Sequence, residues 1–379
     1  MKIIRQLIKP LVLLDSLFVR PCIVFESVPA FCDNTKCVYD ELNRRGYNKK
    51  YNLIWRTGPD TISCFERGMD WHIYSPKSIK QFLLSVSFVK RRNCSIYGNT
   101  IYGFKDNCEM VFYLCHGTPM KSVREYYNLP EYINFIITTS NKSSQISAYE
   151  YNVPIEKCIS IGYPRNDCLT NPPKDIKTAL KTECEKVIVW YPTYRQQKND
   201  GLHLSEKPLP IVSDEEIVGN INDFAKKLNT LIVIKPHFAQ DLSYFKFSEL
   251  SNIKRIDDRF FDENGITSYE FVGACDALLT DYSSIYYDYT LCDKPIGLVW
   301  QDFDEYATNP GFVEDYERLT SGGEKIYCLE DLCTFIESVS KGEDKLKKQR
   351  NEICKEMNNI TDGTATEKVT DFIIEKSNL

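Results

Sequence analysis

Short, nearly continuous apolar runs alternate with amphipathic stretches twice along this chain, and no other feature limits its fold as much. In the first series, residues 21–27, 51–55, 70–74, 110–115, 133–138 and 159–162 read as strands, with helices at 34–45, 78–89 and 143–149 between them. Lys90, Arg91 and Arg92 read as the solvated, cationic end of the 78–89 helix. A polar stretch with prolines and lysines, 171–186, follows as a linker. The second series places strands at 186–191, 231–234, 253–256, 277–279 and 295–300, and helices at 217–228, 266–273 and 283–291. Amphipathic helices at 331–341, 345–357 and 365–376 close the chain. Strand–helix alternation of this kind builds parallel sheets covered on both faces. The expected architecture is therefore α/β, with two doubly wound, Rossmann-like domains, 1–175 and 176–379, facing a central cleft.

A chain of 379 residues supports two ordinary cores, and its 42% hydrophobic and 26% charged content suits a globular protein. A net charge of −6 leaves no general basic surface, which argues against nucleic acid as the partner. The fifteen cysteines are odd in number, scattered, and without a CxxC pair or zinc-ligand spacing. Buried reduced thiols, and hence a cytoplasmic location, fit that pattern best. No run of about 18 apolar residues predicts a membrane span. Residues 1–18 combine Lys2, Arg5 and Lys9 with an apolar face that Asp15 interrupts, and no small-residue cleavage site follows. They read either as a helix lying on an anionic inner leaflet or as a helix packed on the protein.

The chemistry-bearing residues gather where strands end. In an open parallel sheet the carboxyl ends of the strands face the ligand crevice. His116-Gly117-Thr118-Pro119-Met120-Lys121 follows one apolar run, Gly162-Tyr163-Pro164-Arg165-Asn166-Asp167 another, and Lys235-Pro236-His237 a third. Asp281, Ser283 and Ser284 stand where a strand pattern changes to a helical one. Alone they read as a helix cap; with the other segments they read as hydroxyls helping a helix start to hold phosphate. Asp257-Asp258 reads as a solvated turn, and 199–213 as a loop that closes over a substrate.

In order, HGTPMK, GYPRND, YPTYR, IKPH, TDYSS and DFDEY resemble the CDP-glycerol glycerophosphotransferases of teichoic-acid and capsule synthesis from about Cys22 to Pro310. FES and DNTK near the N-terminus also look like that family's pattern. The resemblance implies a GT-B arrangement, with acceptor bound by the first half and the CDP donor by the second, and a pyrophosphate site that needs no metal or other cofactor. It implies transfer of glycerol phosphate from CDP-glycerol to a hydroxyl of a membrane-linked or polymeric acceptor, with release of CMP.

Of the four histidines, His72, His116, His203 and His237, two lie inside motifs, one in each half. Imidazole, with an unperturbed pKa of about 6.5, is suited to take the acceptor's proton. We expect His116 to be that base, the alternative being a satisfied structural histidine, and His237 with Lys235 to stabilise pyrophosphate or departing CMP. Arg165 and Arg195 are expected to make paired contacts to phosphate oxygens, surface ion pairs being the alternative. Ser283 and Ser284 would cap the pyrophosphate-facing helix while Asp281 orients its loop. Asp304 and Glu305 would hold ribose or glycerol hydroxyls, or simply begin a helix. Gly117, Thr118, Lys121, Asn166 and Asp167 fall on the acceptor side. Met120 replaces a common Leu, a volume-conserving change. The compact chain length leans toward addition of one or a few units. CDP-ribitol as donor, a nucleotide-sugar glycosyltransferase or epimerase of the same fold, and a non-catalytic capsule-assembly subunit are the alternatives.

Overall fold

In the computed structural model, residues 20–56, 92–99, 110–125, 127–172, 175–193, 209–212, 214–237, 240 and 249–379 are described. They form two six-stranded sheets in which every strand pair is parallel. The first holds β1 (Cys22–Glu26), β2 (Asn52–Arg56), β3 (Arg92–Tyr97), β4 (Met110–Tyr113), β5 (Phe135–Thr138) and β6 (Cys158–Ser160), in the order β2-β1-β3-β4-β5-β6. The second holds β7 (Lys186–Trp190), β8 (Thr230–Ile234), β9 (Ile253–Arg255), β10 (Ala277–Thr280), β11 (Ile296–Val299) and β12 (Glu324–Ile326), in the order β12-β11-β10-β7-β8-β9. All of β1 and β8 is buried, as expected of parallel strands covered on both faces.

Local sequence explains the helices that cover them. In Asp33–Arg44, Val38, Tyr39 and Leu42 share one face and enter the first core with Phe25 and Trp55. In Glu215–Lys227, the Asp214 side chain accepts the Ile217 N–H at 2.9 Å, with acidic residues in the first turn and lysines in the last.

The halves also share a core. Met120, Ile146 and Leu169 from the first pack with Phe271, Tyr282, Ile285 and Tyr286 from the second. The last helix, Ala365–Ser377, crosses back, and Val369 and Ile373 are buried in the first half's core. The expected 176–379 unit therefore does not hold for this helix: its apolar stripe looked ordinary in sequence, and only the fold shows which sheet it covers.

Other expectations change as well. Arg92 opens β3 instead of ending a helix, and β12 has no strong sequence signal because only Ile326 of its three residues is buried. Asp257 is the N-cap of helix Asp258–Asn264, its side chain accepting the Arg259 N–H, so the acidic pair is not a simple turn. Of the loop at 199–213, the described Leu209, Ile211 and Val212 are buried core residues. The strand at 70–74 and the helices at 1–18 and 78–89 lie outside the described residues. Among those described, no helix is long and apolar enough to cross a membrane.

Candidate active site

β4 ends two residues before Cys115, whose backbone adopts φ +59°, and the chain turns there to present His116. Its side chain is 66% exposed, yet its Nδ1 lies 2.5 Å from Oδ2 of Asp33, itself buried at the start of helix Asp33–Arg44. Burial alone would raise the Asp33 pKa, but the Arg165 charge and then His116 outweigh it and hold the carboxyl well below its usual range. An ionised carboxylate only accepts hydrogen bonds, so His116 donates from Nδ1, leaving Nε2 as the basic nitrogen on the exposed ring. Beside this pair, burial first and then the Asp33 charge push the Cys32 thiol up to about 12, which makes it a poor nucleophile.

The loop carrying His116 is tied from several sides. Asn34 Nδ2 donates to the carbonyls of Leu114 and Cys115 at 3.1 and 2.9 Å, and its Oδ1 accepts the Arg165 N–H at 3.0 Å. Further on, the buried Glu150 carboxylate accepts the N–H groups of Val123 and Arg124 at 2.7 and 3.1 Å. The second half contributes too: Lys121 pairs with Phe312 in an isolated antiparallel bridge, and the Val313 N–H donates to the Met120 carbonyl. The Lys121 ammonium lies 5.6 Å from the Tyr306 ring centre. Gly117, at φ +143°, faces Ser284 so closely that a Cβ there would sit 2.2 Å from the Ser284 Oγ. The HGTPMK and TDYSS segments therefore meet directly.

Across the cleft, β8 delivers Lys235, which pairs with Asp258 at 2.8 Å, and exposed His237 follows. The His237 pKa is lowered, first by partial loss of solvent and then by the charges of Lys235 and His116. The His116 charge is felt at His237, so the two motif histidines, one from each half, lie near one another. Asp281 is buried and accepts the N–H groups of Thr193 and Tyr282 at 3.0 and 2.7 Å, tying YPTYR to TDYSS. Ser284 precedes a short helix, Ile285–Tyr289, but its side chain makes no capping hydrogen bond. Hydroxyl capping, expected from the sequence, is not made because the chain enters this helix with Ser284 already in helical geometry.

Four expected contact residues point inward instead. Arg165, only 6% exposed at its side chain, donates to Asp33, Asp288 and the His116 carbonyl at 2.8, 2.8 and 2.7 Å, so it is no open phosphate clamp. Asn166 is buried and donates to Asp288 at 3.0 Å. Asp167 accepts the N–H groups of Ala365 and Thr366 at 2.9 and 2.7 Å and so caps the returning helix. Thr118 is buried beside the Tyr163 hydroxyl. Asp304 and Glu305 are exposed in the first turn of helix Phe303–Thr308, as an acidic helix start would be. Arg195 and His203 lie outside the described residues. Asp33, Asn34, Tyr269, Asp288 and Glu150 had no place in the expected site; DNTK was visible as a pattern, but nothing local shows which imidazole its aspartate reaches.

Among the described residues, no cluster of three or more His, Cys, Asp or Glu side chains is arranged to hold a metal ion. The arrangement offers an exposed imidazole oriented by a carboxylate, a second imidazole and a lysine from the other half, and a close contact between the halves.

Residues 11–375 match the model of the CDP-glycerol:poly(glycerophosphate) glycerophosphotransferases. The chain belongs to this family. Among its relatives, a teichoic acid poly(glycerol phosphate) polymerase of Staphylococcus epidermidis is 26% identical over 331 residues, 78% of this chain and 42% of the relative. A teichoic acid glycerol-phosphate primase of Bacillus subtilis is 22% identical over 210 residues, 54% of this chain and 49% of the relative. The chain thus spans less than half the length of several curated teichoic-acid relatives that it matches, a poly(ribitol-phosphate) polymerase of Bacillus spizizenii among them. The solved wall teichoic acid polymerase TagF superposes with a TM-score of 0.71 at 19% identity, over 96% of this chain and 90% of that one. A UDP-GlcNAc 2-epimerase from Neisseria meningitidis, solved with UDP-GlcNAc, gives 0.52 at 16% identity, over 94% and 100%. Both likenesses concern the fold: two Rossmann-like domains in the GT-B arrangement.

Proposed function

We propose that this glycerophosphotransferase-family chain transfers glycerol phosphate from CDP-glycerol to a hydroxyl of a membrane-linked or polymeric teichoic-acid or capsule acceptor. The observation that carries the reading is the exposed imidazole of His116 held through Nδ1 by buried, ionised Asp33, and His237 of the other half, near enough to feel the His116 charge, supports it. An acceptor oxygen attacks the β-phosphorus while His116 Nε2 takes its proton. The new O–P bond forms as the bond from phosphorus to the CMP oxygen breaks, and the proton leaves His116 for solvent afterwards. Such transfer depends on positioning and on stabilising charge, not on a covalent intermediate. The lowered His237 pKa favours its neutral form near pH 7, so it serves as an N–H donor to the departing phosphate while Lys235 supplies charge.

The curated relatives support the polyol-phosphate class, and buried free thiols such as Cys22, Cys94 and Cys275 support a reducing, cytoplasmic setting. The acceptor would then lie at the inner face of the membrane. The test is CMP release by the purified full chain from CDP-glycerol, with a membrane fraction as acceptor and CDP-ribitol and UDP-sugars run beside it. CMP from CDP-glycerol is expected. Turnover of UDP-sugars with no CMP from either polyol donor would overturn the reading.

A further inference from the structure

Arg165 touches His116, yet half of what holds Arg165 comes from the other half of the molecule. Its Nη1 donates to Asp33 Oδ1 at 2.8 Å and lies 3.5 Å from His116 Nδ1, while Nη2 donates to the His116 carbonyl at 2.7 Å. The same Nη2 donates to Asp288 Oδ2 at 2.8 Å. Asp288, on helix Ile285–Tyr289, also accepts from the Tyr269 hydroxyl at 2.6 Å and from Asn166 at 3.0 Å. The guanidinium stacks over Tyr269, 4.4 Å from its ring centre. Asp33, Arg165 and Asp288 are all nearly inaccessible to solvent, so one buried cation is shared by two buried carboxylates, one from each half.

We propose that Asp288 is a positioning residue for the base: through Arg165 it makes the geometry of the Asp33–His116 pair depend on docking of the second half. This rests on the reading of His116 as base. Asp288 does not reach the imidazole itself, and its pull on Arg165 is what keeps the guanidinium from shifting wholly onto Asp33. Without it, Arg165 draws on Asp33 alone, and the carboxylate that orients His116 is displaced. A buried ion pair is weak evidence for added stability, and under this proposal its role is geometric. Two halves sharing one cation thus let the base take its working orientation only when the half expected to hold the donor is in place.

The test is a rate cycle in the full chain. Asp288→Asn, and Tyr269→Phe as the variant that best preserves charge and packing, are made alone and with His116→Ala, and CMP release from CDP-glycerol is followed. We expect Asp288→Asn to lower kcat by roughly 10- to 100-fold, because small misplacements of a reacting group cost that much, and Tyr269→Phe to lower it less. KM for CDP-glycerol stays within about twofold, and in the His116→Ala background the same substitutions change the residual rate by less than about twofold. Equal losses in both backgrounds would mean that Asp288 is only an interface contact and would overturn the proposal. Imidazole resonances of histidine-labelled protein, read without any nucleotide, test it independently of the donor. Those lost in His116→Ala are expected to move in Asp288→Asn and Tyr269→Phe, and unmoved resonances in the folded Tyr269→Phe protein would overturn it. Failure of the wild-type chain to release CMP strikes the donor assignment alone.

Discussion

Gly117 and Ser284, one from each half of the molecule, meet so closely that Gly117 has no room for a side chain: a Cβ there would lie 2.2 Å from Ser284 Oγ and 2.8 Å from its Cβ. With φ at +143°, the glycine also occupies backbone space that L side chains rarely adopt. Gly117→Ala is expected to force the HGTPMK and TDYSS segments apart and to lower kcat by roughly 100-fold. CMP release checks it, and adding Ser284→Gly, which removes the facing atoms, restores part of the rate. Full activity in Gly117→Ala would show that the contact does not bear on the site.

Asp33 sets which nitrogen of His116 carries the proton. Asp33→Asn preserves shape but lets the side-chain amide donate to Nδ1, leaving the proton on Nε2, the wrong nitrogen for a base. A fall in kcat of about 10²- to 10⁴-fold is expected, the range attached to a positioned general base. His116→Ala falls as far, and combining the two adds little; independent, multiplying losses would separate their roles.

The same carboxylate links stability to pH. Its folded pKa lies below the unfolded value, so its contribution is present above about pH 4, the ordinary aspartate pKa, and is lost as pH falls further toward the folded pKa. Denaturant unfolding is expected to find wild type more stable than Asp33→Asn at pH 6, with the gap closing below pH 4. A gap that persists unchanged at low pH would show that the charge is not its source. Arg165→Met, which leaves two buried carboxylates without their cation, should cost about 3–5 kcal/mol at pH 7.

Lys325 makes stability rise with pH as well, in a higher window. Burial lowers its pKa to about 7, beneath the Trp300 ring 3.9 Å from its ammonium, while the nitrogen also donates to the Thr320 carbonyl at 2.6 Å. A lysine whose folded pKa is depressed binds fewer protons folded than unfolded, so stability rises with pH between about 7 and 10. The midpoint of unfolding is expected to climb from pH 7 to 9 in wild type and much less in Lys325→Met. Parallel curves for the two proteins would remove Lys325 as the cause.

Asp167 anchors the returning helix Ala365–Ser377 by accepting its first N–H groups. Asp167→Ala is expected to cost about 0.5–2 kcal/mol, as loss of a helix cap does, and to appear as a lower denaturant midpoint. A change confined to the acceptor KM, with stability intact, would return this residue to the acceptor site.

Apolar periodicity is a local property, and it carried the architecture: β1, β4, β7, β8, β10 and β11 lie on runs such as CIVF, MVFY and TLIVI, because a strand buried on both faces must be apolar throughout. It did not reveal β12, which is largely polar, or the short capped helix Asp258–Asn264, whose aspartates suit a turn equally well. The motif order likewise singled out His116 and His237, since strand ends in a parallel sheet face one crevice.

Burial and partnership, in contrast, depend on what the far side of the chain supplies. Arg165 looks in sequence like any arginine ready for phosphate, and only tertiary structure surrounds it with Asp33, 132 residues earlier, and Asp288, 123 residues later. Asp167 became a cap because a helix from nearly 200 residues onward returns to it. The sequence by itself determined two parallel α/β sheets and a histidine just beyond a strand end in each half, because hydrophobic period and strand-end chemistry are written locally. Which charges face solvent and which hold His116 in place was decided by tertiary structure, because a buried ion is set by neighbours that the chain brings together only on folding.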